Sequence, residues 1–84
     1  MPHFVYILES EKDGSYYVGQ TQNLLERLER HNQGRSKATK SKRPWRLVYS
    51  EEYPDRSAAV ARENSIKRKK SRDYIDFLVR ASRQ

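Results

Sequence analysis

The chain has 84 residues, a formal net charge of +7 and no cysteine. This length allows one domain, so we expect residues 1–84 to form a single folded unit. The absence of cysteine excludes disulfides and thiolate zinc sites. The longest apolar run, Phe4 to Leu8, is too short to span a bilayer, and the N-terminus lacks the pattern of a secretion signal. We therefore expect a cytoplasmic protein that does not contact membranes.

The hydrophobic pattern predicts three strands and three helices. Stretches rich in β-branched and aromatic residues indicate strands, and apolar residues at a helical period indicate helices. Asp13-Gly14 is typical of a hairpin turn, and Asn23 followed by Glu26 is typical of a helix N-cap. In the order β-β-α-β-α-α, the strands are predicted at 4–9, 15–20 and 46–51, and the helices at 24–32, 57–70 and 73–81.

Two tyrosines are predicted to share one face of the first hairpin. If Leu8 pairs with Ser15, then Tyr6 lies opposite Tyr17. Because side chains alternate along a strand, Tyr16 then points to the opposite face. A slip of one residue in this register would separate the two phenols.

The first predicted helix places a guanidinium and an imidazole beside its apolar stripe. With about 100° between successive residues, Leu24, Leu25 and Leu28 form one stripe. His31 falls within about 20° of Leu24, and Arg27 lies about 60° away on the same side. A packed arginine stem and a histidine favoured by the helix dipole would explain either residue alone. Together with two phenols, however, they supply the groups that phosphodiester chemistry requires.

A carboxylate interrupts the apolar stripe of the second predicted helix. Glu63 stands between Ala59 and Ile66 at helical spacing, and an acid that faces a core is costly unless it is paired or bound to metal. A hard cation is one such partner, since Mg²⁺ often takes only one or two protein carboxylates. A salt bridge is the other explanation, with a partner among Arg62, Lys67 and Arg27.

The positive charge is concentrated in two runs. Six Lys or Arg residues and no acids lie between Arg35 and Arg46, and another six lie between Arg62 and Arg72 beside Glu63. Such runs favour phosphate backbones through counterion release. A solvated basic face is the alternative, and neither run has the continuous apolar face of a membrane-surface helix. With the tyrosine pair nearby, the two runs favour a nucleic acid as partner.

Four motifs carry a family resemblance when they are taken in chain order: Val5-Tyr6-Ile7, Tyr17-Val18-Gly19, Arg27 and Glu63. They resemble the motifs of the GIY-YIG endonuclease superfamily, and most of all its small stand-alone bacterial branch. The resemblance covers the chain from Phe4 to about Leu78. The first motif departs from the family pattern because it lacks the usual glycine.

The resemblance implies an α+β fold in which a three-stranded antiparallel sheet is flanked by three helices. It also implies a DNA endonuclease that hydrolyses phosphodiester bonds with one Mg²⁺ or Mn²⁺ ion. We expect it to select DNA by structure, branched or single-stranded, in repair or recombination. The alternative is a non-catalytic module that binds RNA or DNA through its basic loop and helix. Glu63 and His31 discriminate between the two, because a pure binder needs no carboxylate among its phosphate-binding cations.

Each candidate catalytic residue can be given a chemical role. Tyr6 is predicted to be the general base and Tyr17 to position the water, although the two can exchange roles. A tyrosine has an ordinary pKa near 10, so a nearby cation or a hydrogen-bonded imidazole such as His31 would have to lower it. Arg27 would hold the scissile phosphate, and Glu63 would hold the metal near the leaving oxygen. The predicted substrate-binding residues are Gly19, Lys37, Thr39, Lys40, Lys42, Arg43 and Lys67.

Overall fold

The computed structural model describes residues 1–82 and confirms the predicted α+β element order. Its three strands form one antiparallel sheet in the order β2-β1-β3, and three helices flank the sheet. Within the described residues, no helix is long and apolar enough to cross a membrane. The elements are β1 (His3–Ser10), β2 (Tyr16–Thr21), α1 (Leu24–Asn32), a 3₁₀ turn (Lys40–Lys42), β3 (Trp45–Tyr53), α2 (Arg56–Arg68) and α3 (Arg72–Ser82).

The hairpin register differs from the predicted one by two residues. Leu8 lies opposite Tyr17 and not opposite Ser15, because the loop has four residues instead of six. The backbone N–H of Ser10 donates to the carbonyl of Ser15 at 2.8 Å and closes this shorter loop. A shift of two residues keeps each side chain on its predicted face. Tyr6 and Tyr17 are therefore diagonal neighbours, with ring centroids 6.3 Å apart.

The central strand β1 is buried on both faces, which explains its nearly continuous apolar sequence. One face packs against α1, through a core of Tyr6, Leu8, Trp45, Tyr17, Leu24, Leu28 and Leu47. The other face packs against α2 and α3, through a core built on Val5, Ile7, Val18, Ala59, Ile66 and Leu78. The two tyrosines of interest thus lie in the layer between the sheet and α1.

Helix α1 has the predicted bounds and faces the sheet as predicted, except at Leu25. The Asn23 side chain accepts a hydrogen bond from the backbone N–H of Glu26 at 3.0 Å, which confirms the N-cap. His31 is buried, whereas Leu25 is 77% exposed, so the prediction that Leu25 joins the apolar stripe is wrong. The helix has only nine residues, and it contacts the sheet along the narrow line from Leu24 to His31.

Candidate active site

Gly19 provides the space in which the Tyr6 side chain lies. A Cβ atom at Gly19 would be 2.6 Å from the Tyr6 hydroxyl oxygen and 2.7 Å from its Cζ, both too close for any side chain. The two residues are opposite each other in the β1–β2 register. The sequence predicts a substrate contact for Gly19. In the structure, the absence of a side chain at Gly19 leaves room for the Tyr6 ring against β2.

A chain of hydrogen bonds runs from Tyr6 through His31 to Thr39. The Tyr6 hydroxyl lies 3.0 Å from His31 Nε2, and His31 Nδ1 lies 2.7 Å from Thr39 Oγ1. The Thr39 carbonyl in turn accepts a hydrogen bond from Trp45 Nε1 at 2.9 Å. All four residues are buried, so the chain fixes the imidazole orientation without help from solvent.

The protonation of His31 follows from its surroundings. Burial lowers its pKa, and the positive charges of Arg27 and Arg30 lower it further, so the imidazole is neutral near pH 7. Because the imidazole is neutral, one of its ring nitrogens donates and the other accepts, and the Tyr6 and Thr39 hydroxyls can each take the matching role.

Thr39 does not have the predicted substrate-contacting position. Its exposed fraction is 0%, and its hydroxyl and carbonyl are both used inside the protein. The prediction that Thr39 contacts the substrate directly is therefore wrong, because no part of its side chain reaches the surface. It orients His31 instead.

Tyr6 also differs from the prediction, because its pKa is raised and not lowered. Burial is the largest cause, the neighbouring Tyr17 and Glu63 add to it, and Arg27 opposes it, which leaves the pKa of Tyr6 at about 12. With an exposed fraction of 1%, Tyr6 does not meet solvent directly. Desolvation thus outweighs the effect of the Arg27 cation on the pKa, and Tyr6 is held as a neutral phenol.

The partner phenol, Tyr17, lines a cleft that opens to solvent. This cleft has a volume of about 280 Å³, and its walls include Arg27, Arg30 and Arg35 as well as His31. The Tyr17 and His31 rings lie 4.9 Å apart between centroids. Three guanidinium groups around one half-buried phenol form a site suited to a phosphate group.

Glu63 is half-buried between Ala59 and Ile66 on α2, as the helical spacing predicts. The Lys67 ammonium lies 2.6 Å from a Glu63 carboxylate oxygen, so one of the predicted salt-bridge partners is confirmed. Helix α2 packs on the face of the sheet opposite to the two tyrosines, and from there the Glu63 charge makes a small contribution to the raised pKa of Tyr6. Lys67, predicted to bind substrate, is instead engaged with this acid in the structure.

A single carboxylate, that of Glu63, would be available to a cation that keeps most of its water ligands. Among residues 1–82, no group of three or more His, Asp or Glu side chains could enclose a metal ion. Mg²⁺ does not need such a group, since one carboxylate together with water and substrate phosphate suffices. Glu63 would supply that carboxylate. Its salt-bridge partner Lys67 is half exposed on a flexible stem.

The predicted opposite orientation of Tyr16 is confirmed. Its hydroxyl donates to Asp76 Oδ1 on α3 at 2.5 Å, and its ring lies 4.6 Å from the Arg72 guanidinium. Tyr16 and Tyr17 are thus adjacent in sequence but lie in different layers of the protein. Variants of the two residues can therefore separate an effect on catalysis from an effect on packing.

The segment from Arg35 to Arg46, here called the basic loop, is exposed at its predicted substrate-binding cations. Its path is fixed by Asn32, whose amide bonds the backbone N–H and carbonyl of Trp45 at 2.6 and 3.0 Å. Sequence reasoning gave Asn32 and Trp45 no such role, although a lone tryptophan that has to satisfy its indole N–H is a usable signal. The exposed cations are Lys37, Lys40, Lys42 and Arg43.

A family model for the GIY-YIG catalytic domain matches residues 2–75. The chain belongs to the GIY-YIG family. This family is one of nucleases that act on nucleic acid and generally depend on a divalent metal.

Several bacterial proteins are similar to this GIY-YIG chain. The UPF0213 proteins SAV0488 and SA0446 of Staphylococcus aureus strains Mu50 and N315 are each 47% identical over 66 residues, which is 77% of this chain and 79% of theirs. The solution NMR structure of the UPF0213 protein BH0048 from Bacillus halodurans is 36% identical, with a TM-score of 0.61. That match covers 96% of this chain and 85% of the other. The names of these relatives state no activity.

We expect Gly19→Ala to destabilise the fold and impair the site. The new methyl group would push the Tyr6 hydroxyl away from His31, and overpacking of this kind costs about 1–3 kcal/mol. Urea unfolding measures the loss, with Ser50→Ala as control, because Ser50 is exposed and flanks Tyr6 on the other side, in β3. An unchanged unfolding midpoint for Gly19→Ala would contradict this account of the packing.

Proposed function

We propose that this protein is a metal-dependent DNA endonuclease that hydrolyses phosphodiester bonds in the cleft beside Tyr17. The observation that carries the proposal is the convergence of Tyr17, Arg27 and His31 on one solvent-open cleft, with the Glu63 charge acting on the phenol behind it. A phenol, a guanidinium, a neutral imidazole and a carboxylate together supply a base, a phosphate ligand and a metal ligand.

Tyr17 is the stronger candidate for the general base, which exchanges the two tyrosine roles predicted first. Its position in the cleft supports this choice, whereas Tyr6 is buried and has a pKa of about 12. In this proposal Tyr17 acts as a phenolate that the guanidinium groups of Arg27, Arg30 and Arg35 stabilise, and its oxygen accepts the proton of the attacking water to return to the neutral phenol. Tyr6 holds the His31 ring in place through their hydrogen bond, and His31 polarises the neighbouring Tyr17 phenol.

Arg27 and Glu63 have complementary roles on the phosphate. The Arg27 fork binds the scissile phosphate and stabilises the charge that builds up on its oxygens. Glu63 would hold Mg²⁺ or Mn²⁺ by one carboxylate, with Lys67 displaced toward solvent or toward the DNA. The bound ion would neutralise the leaving oxygen.

The substrate is proposed to be DNA recognised by its shape. The exposed cations of the basic loop support backbone contacts, which carry no sequence information. We therefore propose selection of branched or single-stranded DNA, in repair or recombination. Cleavage of a labelled panel of DNA structures, with and without metal, tests this function.

The second candidate function is a non-catalytic nucleic-acid-binding module. Complete burial of Tyr6 favours it, because one of the two phenols then serves as core. It also accounts for Glu63 as a simple salt-bridge partner of Lys67. It does not explain why a neutral histidine is held by hydrogen bonds next to the solvent-open phenol.

Neutralising Lys40, Lys42 and Arg43 together should weaken DNA binding and reduce its salt dependence. Each lost phosphate contact removes about 0.9 from the slope of log affinity against log salt on duplex DNA, so the slope should fall by up to about 2.7. Fluorescence anisotropy at several salt concentrations measures it. The control neutralises Arg46, whose guanidinium is already paired with Glu9. If the triple variant keeps the wild-type slope, the basic loop does not face the DNA.

A further inference from the structure

A second group of cations surrounds the turn between α2 and α3. Five of the six residues from Lys67 to Arg72 are Lys or Arg, and none of the six is acidic. Within residues 1–82, Lys67 is paired with Glu63, whereas the other four cations form no salt bridge. Like charges this close repel one another, so a polyanion bound across the turn would relieve a repulsion that the fold otherwise carries.

Lys70 has a backbone conformation that suits glycine better than lysine. Its φ is +47°, and among residues 1–82 it is the one residue other than glycine with a positive φ. A glycine would adopt this left-handed conformation without steric cost, and glycine is the usual residue just beyond the end of a helix. A lysine held there against this strain indicates that its side chain has a function at the surface.

Lys70 and Arg72 stand on the rim of a concavity of about 330 Å³. Among residues 1–82, no Asp or Glu lines this concavity. Its apolar part consists of Val18, Ile66 and Ile75, which belong to the core beneath α2 and α3. Charges attract each other more strongly beside such apolar surface than in bulk water, so an anion is favoured here.

Two serine hydroxyls of the concavity can add hydrogen bonds to an anion. Ser15 Oγ lies 3.2 Å from the Lys42 ammonium, which can only donate, and Ser71 Oγ accepts from the backbone N–H of Tyr74 at 3.1 Å. Each oxygen therefore acts as an acceptor, and its own proton can be donated to a phosphate oxygen. The concavity thus combines cations and hydroxyl donors, the groups that bind a phosphate.

The concavity is continuous with the basic loop around the loop between β1 and β2. On one side, Lys42 of the basic loop contacts Ser15, which itself lines the concavity, and lies 3.9 Å from Asp13. On the other side, the Arg72 guanidinium lies beside Gly14, where a Cβ atom would be 3.8 Å from Nη2. Cations of both basic runs therefore border the same hairpin loop, and one DNA backbone can contact both.

We propose that this concavity, here called the Lys70–Arg72 site, binds a backbone phosphate of the DNA that enters the Tyr17 cleft. The inference rests on the proposed function and extends the DNA footprint from the basic loop to the other face of the sheet. Lys70 and Arg72 are its charged ligands, because Lys67 is engaged with Glu63. A straight duplex is too stiff to turn around this edge, so contact on both sides favours branched or single-stranded DNA.

Lys70→Gly tests the site because it should change stability and binding in opposite directions. Glycine relieves the left-handed backbone, so the urea midpoint of unfolding should rise. The lost phosphate contact should weaken binding of a labelled three-way DNA junction about fivefold to tenfold at 0.1 M salt. Fluorescence anisotropy without metal measures this affinity, and weaker binding by a more stable protein cannot result from unfolding.

Two further variants complete the test. Lys70→Asn also tolerates this backbone conformation, so it repeats the loss of charge if Lys70→Gly unfolds. Arg80→Gln removes an exposed arginine on α3 and is the matched control, with wild-type affinity expected. Each Lys70 variant should lower the slope of log affinity against log salt by about 0.9. A wild-type slope in both Lys70 variants would overturn the proposal, as would an equal loss in Arg80→Gln.

Straight duplex DNA of the same length tests the path around the hairpin loop. We expect Lys70→Gly and the wild-type protein to bind it equally, because a straight duplex meets the basic loop without reaching the Lys70–Arg72 site. An equal loss on the duplex and on the junction would overturn this path.

The result can be distinguished from a failure of the proposed function. If the protein cleaves DNA while both Lys70 variants bind the junction like wild type, the Lys70–Arg72 site is wrong and the nuclease assignment stands. If the Lys70 variants bind the junction more weakly and DNA remains intact in every metal tested, the nuclease assignment is wrong and the phosphate site stands.

Discussion

Glu63→Gln should abolish cleavage in both Mg²⁺ and Mn²⁺ while the protein stays folded. The substitution removes the charge that a hard cation requires but keeps the shape of the side chain. A helix salt bridge spaced i to i+4, like that of the half-buried Glu63 with the more exposed Lys67, contributes only about 0.3–0.5 kcal/mol, so the free energy of unfolding should change little. Initial cleavage rates across a metal titration, together with urea unfolding, measure the two effects.

The matched control separates metal binding from the salt bridge. Glu52→Gln removes an exposed carboxylate on β3 and should cleave at the wild-type rate. If Glu63 had only a structural role, Glu63→Gln and Lys67→Met would lower the free energy of unfolding equally, and Glu63→Gln would keep the wild-type turnover. That result would show that Glu63 does not bind the metal.

Tyr17→Phe should lower turnover by about 10²–10⁴, the range expected when a general base is removed. The ring that packs 4.9 Å from His31 is kept, so folding should survive. Tyr6→Phe should act differently, since it leaves the buried His31 Nε2 without its hydrogen-bond partner, which costs about 1–3 kcal/mol of stability. Single-turnover cleavage rates and thermal unfolding distinguish the two tyrosines.

Tyr16→Phe is the control that the sheet provides. It loses the hydrogen bond to Asp76, worth about 1 kcal/mol, but it lies on the opposite face and should cleave normally. A cleavage defect in Tyr16→Phe together with normal cleavage by Tyr17→Phe would mean that the active site lies on the opposite face of the sheet from the one proposed.

The sequence was sufficient for the element order and for the faces of the two tyrosines. Strand alternation and helical spacing are local rules, and they placed Tyr6, Tyr17, His31 and Glu63 correctly relative to the layers. The hairpin register came out two residues off, because loop length depends on the bonds that Ser10 makes and not on the Asp13-Gly14 signal alone.

The roles inside the site depended on burial, which a local pattern does not report. Desolvation, and not the nearby Arg27, decides the pKa of Tyr6. Thr39 reads as one more polar residue of a basic loop, yet it is buried against His31 because the loop folds back over α1. Such long-range contacts become visible only when the whole fold is present.

The most direct test of the central claim is cleavage of end-labelled DNA by the wild-type protein. The panel contains branched, nicked, single-stranded and duplex DNA, each incubated with Mg²⁺, with Mn²⁺ and with excess chelator, beside Glu63→Gln prepared in the same way. We expect products from branched or single-stranded DNA with either metal, and none in chelator or with Glu63→Gln. Wild-type protein that binds these DNAs but cleaves none of them in either metal would contradict the nuclease assignment, as would cleavage that persists in chelator.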